Sequence, residues 1–474
     1  MLEYSQQNVA VLNTILAISG AIVFTYWSVF KLFRNKDPKG CRRLGLLPQQ
    51  SNLNDEYDPK YVNGVPENCT DERGRPSWRV KALFTYPIKS CTAIEIDTAD
   101  VVSTGLAFDR QFSFAEEVTP SAISDKDPTR GTQSQGTSWI ARTLRNSGFS
   151  RLALVRPEIW VPDPSAHDYN PDLEEVKSQG VMVVYYPHVG CNVLHSIFLK
   201  FGIHLRLVSR EASFRIPIFP PPDKEKTYPL TPIRIWKDSP LAYDYGKHIP
   251  DSFHRFLTRP GSEKSIESGR TTLFRVNPPN HREIFRNAPR KKDLGFQATT
   301  GFADAYPIHL LSLSSVRDVA IRCASSVQHL SVRRFRANII IQGPGAFVED
   351  NWKRIRIGSP SSTSVRPSSK RETIKRDREN YTGTIIHTVC RTIRCKLPNV
   401  DPDTGIRHPQ EPDRTLRSYR VIDPGERTYA CLGMQGVPAV QEFRIRVGDT
   451  ISVLETGEHF YVKMLAPGEV VEGV

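Results

Sequence analysis

Apolar and polar positions alternate with a period of two in a series of short segments rich in β-branched residues. Val80-Lys81-Ala82-Leu83-Phe84, Ile94-Glu95-Ile96, Phe112-Ser113-Phe114, Leu152–Val155 and Val181–Tyr185 form one group. Ile308–Leu313, Asn338–Gln342, Trp352–Ile357, Thr384–Thr388, Phe443–Val447 and Thr450–Leu454 form a second. Successive side chains of a strand point to opposite faces, so this pattern, punctuated by turns, predicts β-strands. Two segments change period. Asn192–Phe201 puts Val193, Ile197 and Phe201 on one face of a helix, and a second helix is predicted to start after Ser314 and end near Cys323. The fold class this predicts is a β-rich α+β protein with a few helices.

Ahead of the strands lies a segment of another kind. From Leu12 to Phe30 the chain is mainly apolar, and no charge falls between Glu3 and Lys31. About 20 such residues suit a bilayer span. Tyr26 and Trp27 lie near one end, where interfacial aromatics belong, and Lys31, Arg34, Lys36, Lys39, Arg42 and Arg43 follow. That basic flank places the remainder of the chain in the cytosol. A cleaved signal peptide would open on a basic stretch, whereas residues 1–8 hold only an acid. The expected organisation is an N-terminal transmembrane anchor (1–36), a polar tether (37–77), a first β-rich domain (78–215), a connecting region with many prolines and little periodicity (216–300) and a second domain (301–474). Residues 118–137 read as a loop. Residues 359–379, which are Ser, Pro, Lys and Arg with no core pattern, read as a disordered insertion.

The net charge of +13 admits a nucleic acid, an anionic membrane face or an anionic cofactor. The cations are spread along the chain, and no zinc-finger spacing or RNA-binding aromatic motif accompanies them, so no nucleic-acid partner is expected. The eight cysteines are scattered without a CxxC pair, which fits a reducing compartment. No G-x-G-x-x-G follows a predicted strand, so neither a dinucleotide nor a flavin site is read.

One thiol stands out by its company. Cys395 is flanked by Arg391, Arg394 and Lys396, a basic setting in which a thiol attacks or binds metal, and a proline-rich turn with Asp401 and Asp403 follows. Upstream come Tyr86-Pro87-Ile88-Lys89-Ser90-Cys91 and Gly105-Leu106-Ala107-Phe108-Asp109-Arg110, and later Ala303-Asp304-Ala305-Tyr306-Pro307, Arg334-Phe335-Arg336-Ala337-Asn338 and Arg446-Val447-Gly448-Asp449. In order and separation, from Trp78 to Glu455, these segments resemble the MOSC family, the domain named for the C-terminus of molybdenum cofactor sulfurase. The pattern is most like that of its membrane-anchored members, the mitochondrial amidoxime reducing components.

The resemblance implies a MOSC-type N-terminal β-barrel and a C-terminal MOSC β-barrel with molybdenum and molybdopterin held in the cleft between them. It implies that Cys395 ligates the metal. Lys89 and Ser90 match contacts to the pterin phosphate, and Arg110, Arg142, Arg336, Asn338 and Arg394 match other cofactor contacts. Asp401 is placed with Cys395 in the catalytic set, although Asp beside Pro and Gly is also ordinary turn chemistry. Relatives often show Thr-Ala-Arg where this chain has Ile140-Ala141-Arg142, and two threonines where it has Pro398-Asn399. The implied activity is reduction of N-hydroxylated compounds, amidoximes and hydroxylamines, by oxygen-atom abstraction. Electrons would come from cytochrome b5 and its NADH-dependent reductase, at the outer mitochondrial membrane or the endoplasmic reticulum. A persulfide sulfur carrier, or a non-catalytic cofactor-binding membrane protein, are the alternatives. No pyridoxal-dependent desulfurase domain is present to load such a carrier.

Overall fold

The computed structural model describes residues 37–119, 137–146, 148–258, 269–360 and 381–463. The expected anchor, most of the loop at 118–137 and the insertion beyond Pro360 lie outside the described residues. Among the described residues, no helix is long and apolar enough to cross a membrane.

The predicted strands pair into a β-rich body. An eight-stranded sheet runs, edge to edge, through Ile451–Thr456, Trp352–Pro360, Tyr381–Ile393, Cys431–Pro438, Ile308–Ser312, Ile339–Gln342, Arg79–Thr85 and Ile94–Ile96. All neighbours in it are antiparallel except Ile308–Ser312 and Ile339–Gln342, a parallel pair joined by the crossover helix Leu313–Arg322. Leu313, Val316 and Val319 turn that helix's apolar face onto Phe335, Ile340 and Leu432. Five further strands close a small barrel in the order Leu230–Arg234, Leu241–Asp244, Thr271–Val276, Phe112–Val118 and Ser138–Ala141. Its interior is filled by Ala115, Ile233, Ala242, Phe274, Val276 and Phe302. A four-stranded sheet of Cys41–Arg43, Arg156–Pro162, Val181–Pro187 and Glu211–Pro217 flanks the body.

Three expectations are corrected. Residues 216–300 are not a connector, because they supply three of the five barrel strands and the helix Asp251–Thr258. Those strands are short and one carries Pro232, so they leave little periodicity; closure comes from a parallel pairing of Ile233 with Trp139, which lies far away in sequence. Residues 37–77 are not a free tether. Cys41–Arg43 pairs with Trp160–Pro162, Leu53 and Tyr61 are buried, and the buried Glu56 accepts a bond of 2.9 Å from the Val332 amide. Leu152–Val155 belongs to a 3-10 turn, not a strand, with Leu152 and Ala153 buried; an apolar run this short carries no periodicity to separate the two.

The assumed order of domains also changes. Arg79–Thr85 and Ile94–Ile96, early in the chain, are strands of the large sheet, while Thr98–Val102 pairs with Phe443–Arg446 near the other end. The two β units are therefore stitched together by the chain's first strands. Phe274 lies fully inside the barrel, edge-on to Trp139 at 5.0 Å. Phe274→Ala is expected to cost about 3–5 kcal/mol, read as a lowered midpoint of denaturant unfolding.

Candidate functional site

A cavity of about 570 Å³ opens between the barrel and the large sheet. The turn after Arg79–Thr85 brings Lys89 and Ser90 to it, and Arg110 follows at the entry to the barrel. The Lys89 amide donates to the Phe112 carbonyl (2.8 Å), and the Arg110 amide donates to that of Tyr86 (2.7 Å). Arg336 arrives from the turn after Val332–Phe335, and Cys395 from the end of the long strand Tyr381–Ile393. Four non-glycine residues of this wall have left-handed backbones: Ser90 (φ 70°), Arg110 (49°), Trp236 (57°) and Arg336 (56°). Such conformations cost of order 1–3 kcal/mol each and persist where the surroundings impose them.

The charges are unbalanced. Of the eight Lys and Arg residues lining the cavity, Lys463 pairs with Glu426 and Arg391 with Asp423, while Lys89, Arg110, Arg145, Arg336 and Arg394 are answered only by Asp109, behind it, and Asp304, on its wall. Lys89 Nζ donates to Asp304 (2.5 Å) and to the Phe302 carbonyl (2.8 Å). Burial presses its ammonium down to about 8, although Asp304 pulls the other way. Asp304, whose side chain is 48% exposed within the cavity, also accepts from Arg145 at 2.9 Å. Burial would raise its carboxyl, but Arg145 and Lys89 outweigh that and hold it well below the usual carboxylate range. Arg110 donates to Asp109 (2.5 Å), to Asn338 Oδ1 (3.1 Å) and to the Arg336 carbonyl (2.9 Å). The Tyr86 ring lies against both Arg110 (4.7 Å) and Arg336 (4.4 Å).

Arg394 is caged. Nε and Nη2 donate to the Leu432 carbonyl, Nη1 donates to that of Phe335, and Nη2 also donates to His309 Nε2 at 2.6 Å. Burial lowers this guanidinium to about 9. Burial, with Arg394 and Arg110 close by, also holds His309 well below its ordinary value. His309 is thus the neutral acceptor in this pair. Gly433, with φ 78°, makes room beside it: a Cβ there would lie 2.9 Å from His309 Nε2 and 2.7 Å from the Leu310 carbonyl.

Of the residues singled out by sequence, Lys89, Ser90, Arg110, Arg336, Arg394 and Cys395 line this one cavity. Three do not. Arg142 turns into a pair with Glu116 at 2.5 Å. Asn338 is fully buried behind the wall, where it bonds Asp109, the Phe84 carbonyl and Arg110, so it orients Arg110. Asp401 pairs with Arg334 (2.5 Å) and accepts the amides of Asp403 and Thr404, which is turn chemistry, and it does not line the cavity. Of the cations next to Cys395 in sequence, Arg394 stays beside the thiol while the other two are engaged elsewhere or exposed. Arg391 pairs with Asp423 and the His459 carbonyl, and Lys396 is exposed.

A second cation that meets Cys395 is Arg145, which was not singled out. Its guanidinium faces Asp304 and the Cys395 thiol and stacks on Trp236 at 4.1 Å. Its signal was a cationic residue three positions from Arg142, masked by the match given to Arg142. His309 was missed because nothing local marks it.

The donors present fit a phosphate-bearing pterin. Among the described residues, Arg336 Nη2 and Thr392 Oγ1 are buried at the wall with no hydrogen-bond partner, and the cations lining the cavity outnumber its carboxylates. A buried donor left unpaired is costly, so both features call for an anionic, hydrogen-bonding ligand.

Residues 297–452 match the MOSC domain, and residues 77–127 match the MOSC N-terminal beta barrel domain. The chain is 30% identical over 244 residues to mouse mitochondrial amidoxime-reducing component 1, covering 50% of this chain and 59% of that protein. It is 35% identical over 127 residues to rat mitochondrial amidoxime reducing component 2, covering 27% and 30%. For the human component 1 the figures are 32% over 156 residues, 32% and 38%. The aligned stretch thus spans under two thirds of each of these relatives. The strand Phe112–Val118 of the barrel lies within the first matched segment, and the wall residues Asp304, His309, Arg336, Arg394 and Cys395 lie within the second, so the chain carries both MOSC domains and its cavity is built from them.

Proposed function

We propose that this chain is a molybdenum cofactor-dependent oxidoreductase that reduces small N-hydroxylated compounds such as amidoximes and hydroxylamines. The observation that carries the reading is the surplus of buried cations around the Cys395 cavity, in a chain whose relatives are named amidoxime-reducing components. Lys89, Ser90, Arg110 and Arg336 would hold the phosphate and the pterin, and the Cys395 thiol would face the metal. A bound dithiolene molybdenum supplies two-electron reduction of an N–O bond, with two protons taken up and water released.

The chain's own residues arrange the rest. Asp304 ties Lys89 to Arg145 and thereby fixes the cation beside Cys395. Because it is held ionised, it is an acceptor and no proton donor at neutral pH. Trp236, Leu397, Tyr429 and Tyr461 give the mouth an apolar rim suited to the carbon skeleton of an amidoxime. With no dinucleotide motif in the chain, electrons come from a separate carrier, a cytochrome b5 fed by an NADH-dependent reductase. The Leu12–Phe30 anchor and the mitochondrial names of the relatives suggest the cytosolic face of the mitochondrial outer membrane, and sharing one membrane with the donor raises its effective concentration.

Purified full-length chain from a host that makes the cofactor is expected to carry stoichiometric molybdenum and pterin and to reduce benzamidoxime with an artificial reductant. Cys395→Ser should lower the metal while keeping the pterin. Parent protein with neither, but with a cyanide-labile sulfur, would establish the sulfur carrier instead; cofactor without reduction would leave a binding protein.

A second expectation concerns pH. In the free site Lys89 sits near 8. An anion placed against it raises that value, so binding takes up a proton above pH 8 and affinity falls as pH rises. The loss approaches about tenfold per unit well above that point. Release of the bound pterin, followed by its fluorescence between pH 7 and 9.5, should show this rise, and Lys89→Met should flatten it while weakening retention about tenfold or more.

A further inference from the structure

Most helices on a globular surface turn their apolar stripe inward. The helix Val193–His204 does the opposite. Val193 is 76% exposed, Phe198 72% and Phe201 61%, and Leu194 and Ile197 are exposed between them. Gly202 is its one buried residue. The apolar surface continues past the helix through Leu205, Leu207 and Val208, all exposed. This is a contiguous run of large apolar side chains, not the single scattered ones a surface ordinarily carries. Asn192 caps the helix by accepting the His195 amide at 2.7 Å, so the element is formed in its own right.

Charge and connectivity say what covers it. From His188 to Arg210 there is no Asp or Glu, while Lys200, Arg206 and Arg210 are exposed beside the stripe. An apolar face rimmed by cations is the composition of a helix lying in the interface of an anionic bilayer. The helix joins Val181–Pro187 to Glu211–Pro217, two strands of the four-stranded sheet whose edge strand is Cys41–Arg43. Lys39 and Arg42 are exposed at that edge. The described chain therefore begins on the same sheet that carries the helix. Asp37 lies seven positions after Phe30, a reach of at most about 25 Å. If Leu12–Phe30 spans the bilayer, this sheet sits against the membrane surface.

We propose that the apolar face of Val193–His204, with Leu205, Leu207 and Val208, lies in the headgroup region of an anionic bilayer as a second contact, fixing how the catalytic cavity faces the membrane plane. This goes beyond the proposed reduction chemistry and rests on Leu12–Phe30 being the anchor. Two contacts set an orientation, whereas one anchor and a flexible link would leave the domain to tumble.

The full chain is reconstituted in vesicles of phosphatidylcholine and phosphatidylserine, with the photoreactive residue p-benzoylphenylalanine in place of Phe198, Phe201, Phe285 or Ile22 in separate preparations. Phe285 is 62% exposed and follows the strand Arg282–Glu283, which pairs with Thr299–Thr300 and is no part of the four-stranded sheet; it serves as the control. Illumination should give lipid adducts at 198, 201 and 22 and none at 285. Adducts at 22 together with none at 198 and 201, or with adducts there to a second copy of the chain, overturn the helix contact and leave the anchor standing. Absence at all three overturns both. The substituted side chains at 198 and 201 point to solvent, so benzamidoxime reduction should be unchanged and confirms that the preparations are folded.

Discussion

The rest of the structure depends on a cluster of like charges held together without enough counter-charge. Lys89, Arg110, Arg145, Arg336 and Arg394 converge on one cavity, and Asp109 and Asp304 neutralise only part of them. Buried charge is costly unless it is paired and hydrogen-bonded. The protein lowers that cost in two ways. Backbone carbonyls of Phe302, Phe335, Arg336 and Leu432 accept from the cations, and burial weakens the hold of Lys89 on its proton. What remains is a site that gains stability when an anion enters.

Those carbonyls explain why the fold is built as it is. They come from three separate parts of the chain, the turn at Phe302, the turn at Phe335–Arg336 and the start of the strand Cys431–Pro438, and Ser90, Arg110 and Arg336 of the same wall have left-handed backbones. Such positions hold only when the frame around them is rigid. The frame is the large sheet crossed by the first strands of the chain, with the barrel closed against it. Strain in the wall and continuity in the sheet are two parts of one design.

Sequence patterning carried much of this. Long, regularly alternating segments such as Val80–Phe84 and Trp352–Ile357 are strands as expected, and the motif residues Lys89, Ser90, Arg110, Arg336, Arg394 and Cys395 meet in space. What was not legible is what depends on long-range pairing. The barrel strands Leu230–Arg234 and Leu241–Asp244 are too short to show a period, and only their neighbours define them. Asn338 and Arg142 carry the right chemistry, but a carboxylate closer at hand, Asp109 or Glu116, takes each of them. The thiol's cationic setting was legible only in part: Arg394 stands beside Cys395 as adjacency suggested, but Arg391 is drawn to Asp423 and Arg145, far away in sequence, supplies a further cation.

The route of the chain through the large sheet also has a consequence for its synthesis. The Phe84 carbonyl accepts from Asn338, 254 residues further on, and Arg79–Thr85 pairs with Ile339–Gln342 beside it. At the usual ribosomal pace that partner emerges roughly 13 to 50 seconds later. During this interval the apolar strand Val80–Phe84 has only the short strand Ile94–Ile96 beside it, and its other edge is open. A nascent chain in this state presents an open strand edge of the kind that pairs with other chains. A chaperone's grip on the early strands would have to last until the ribosome has passed Gln342.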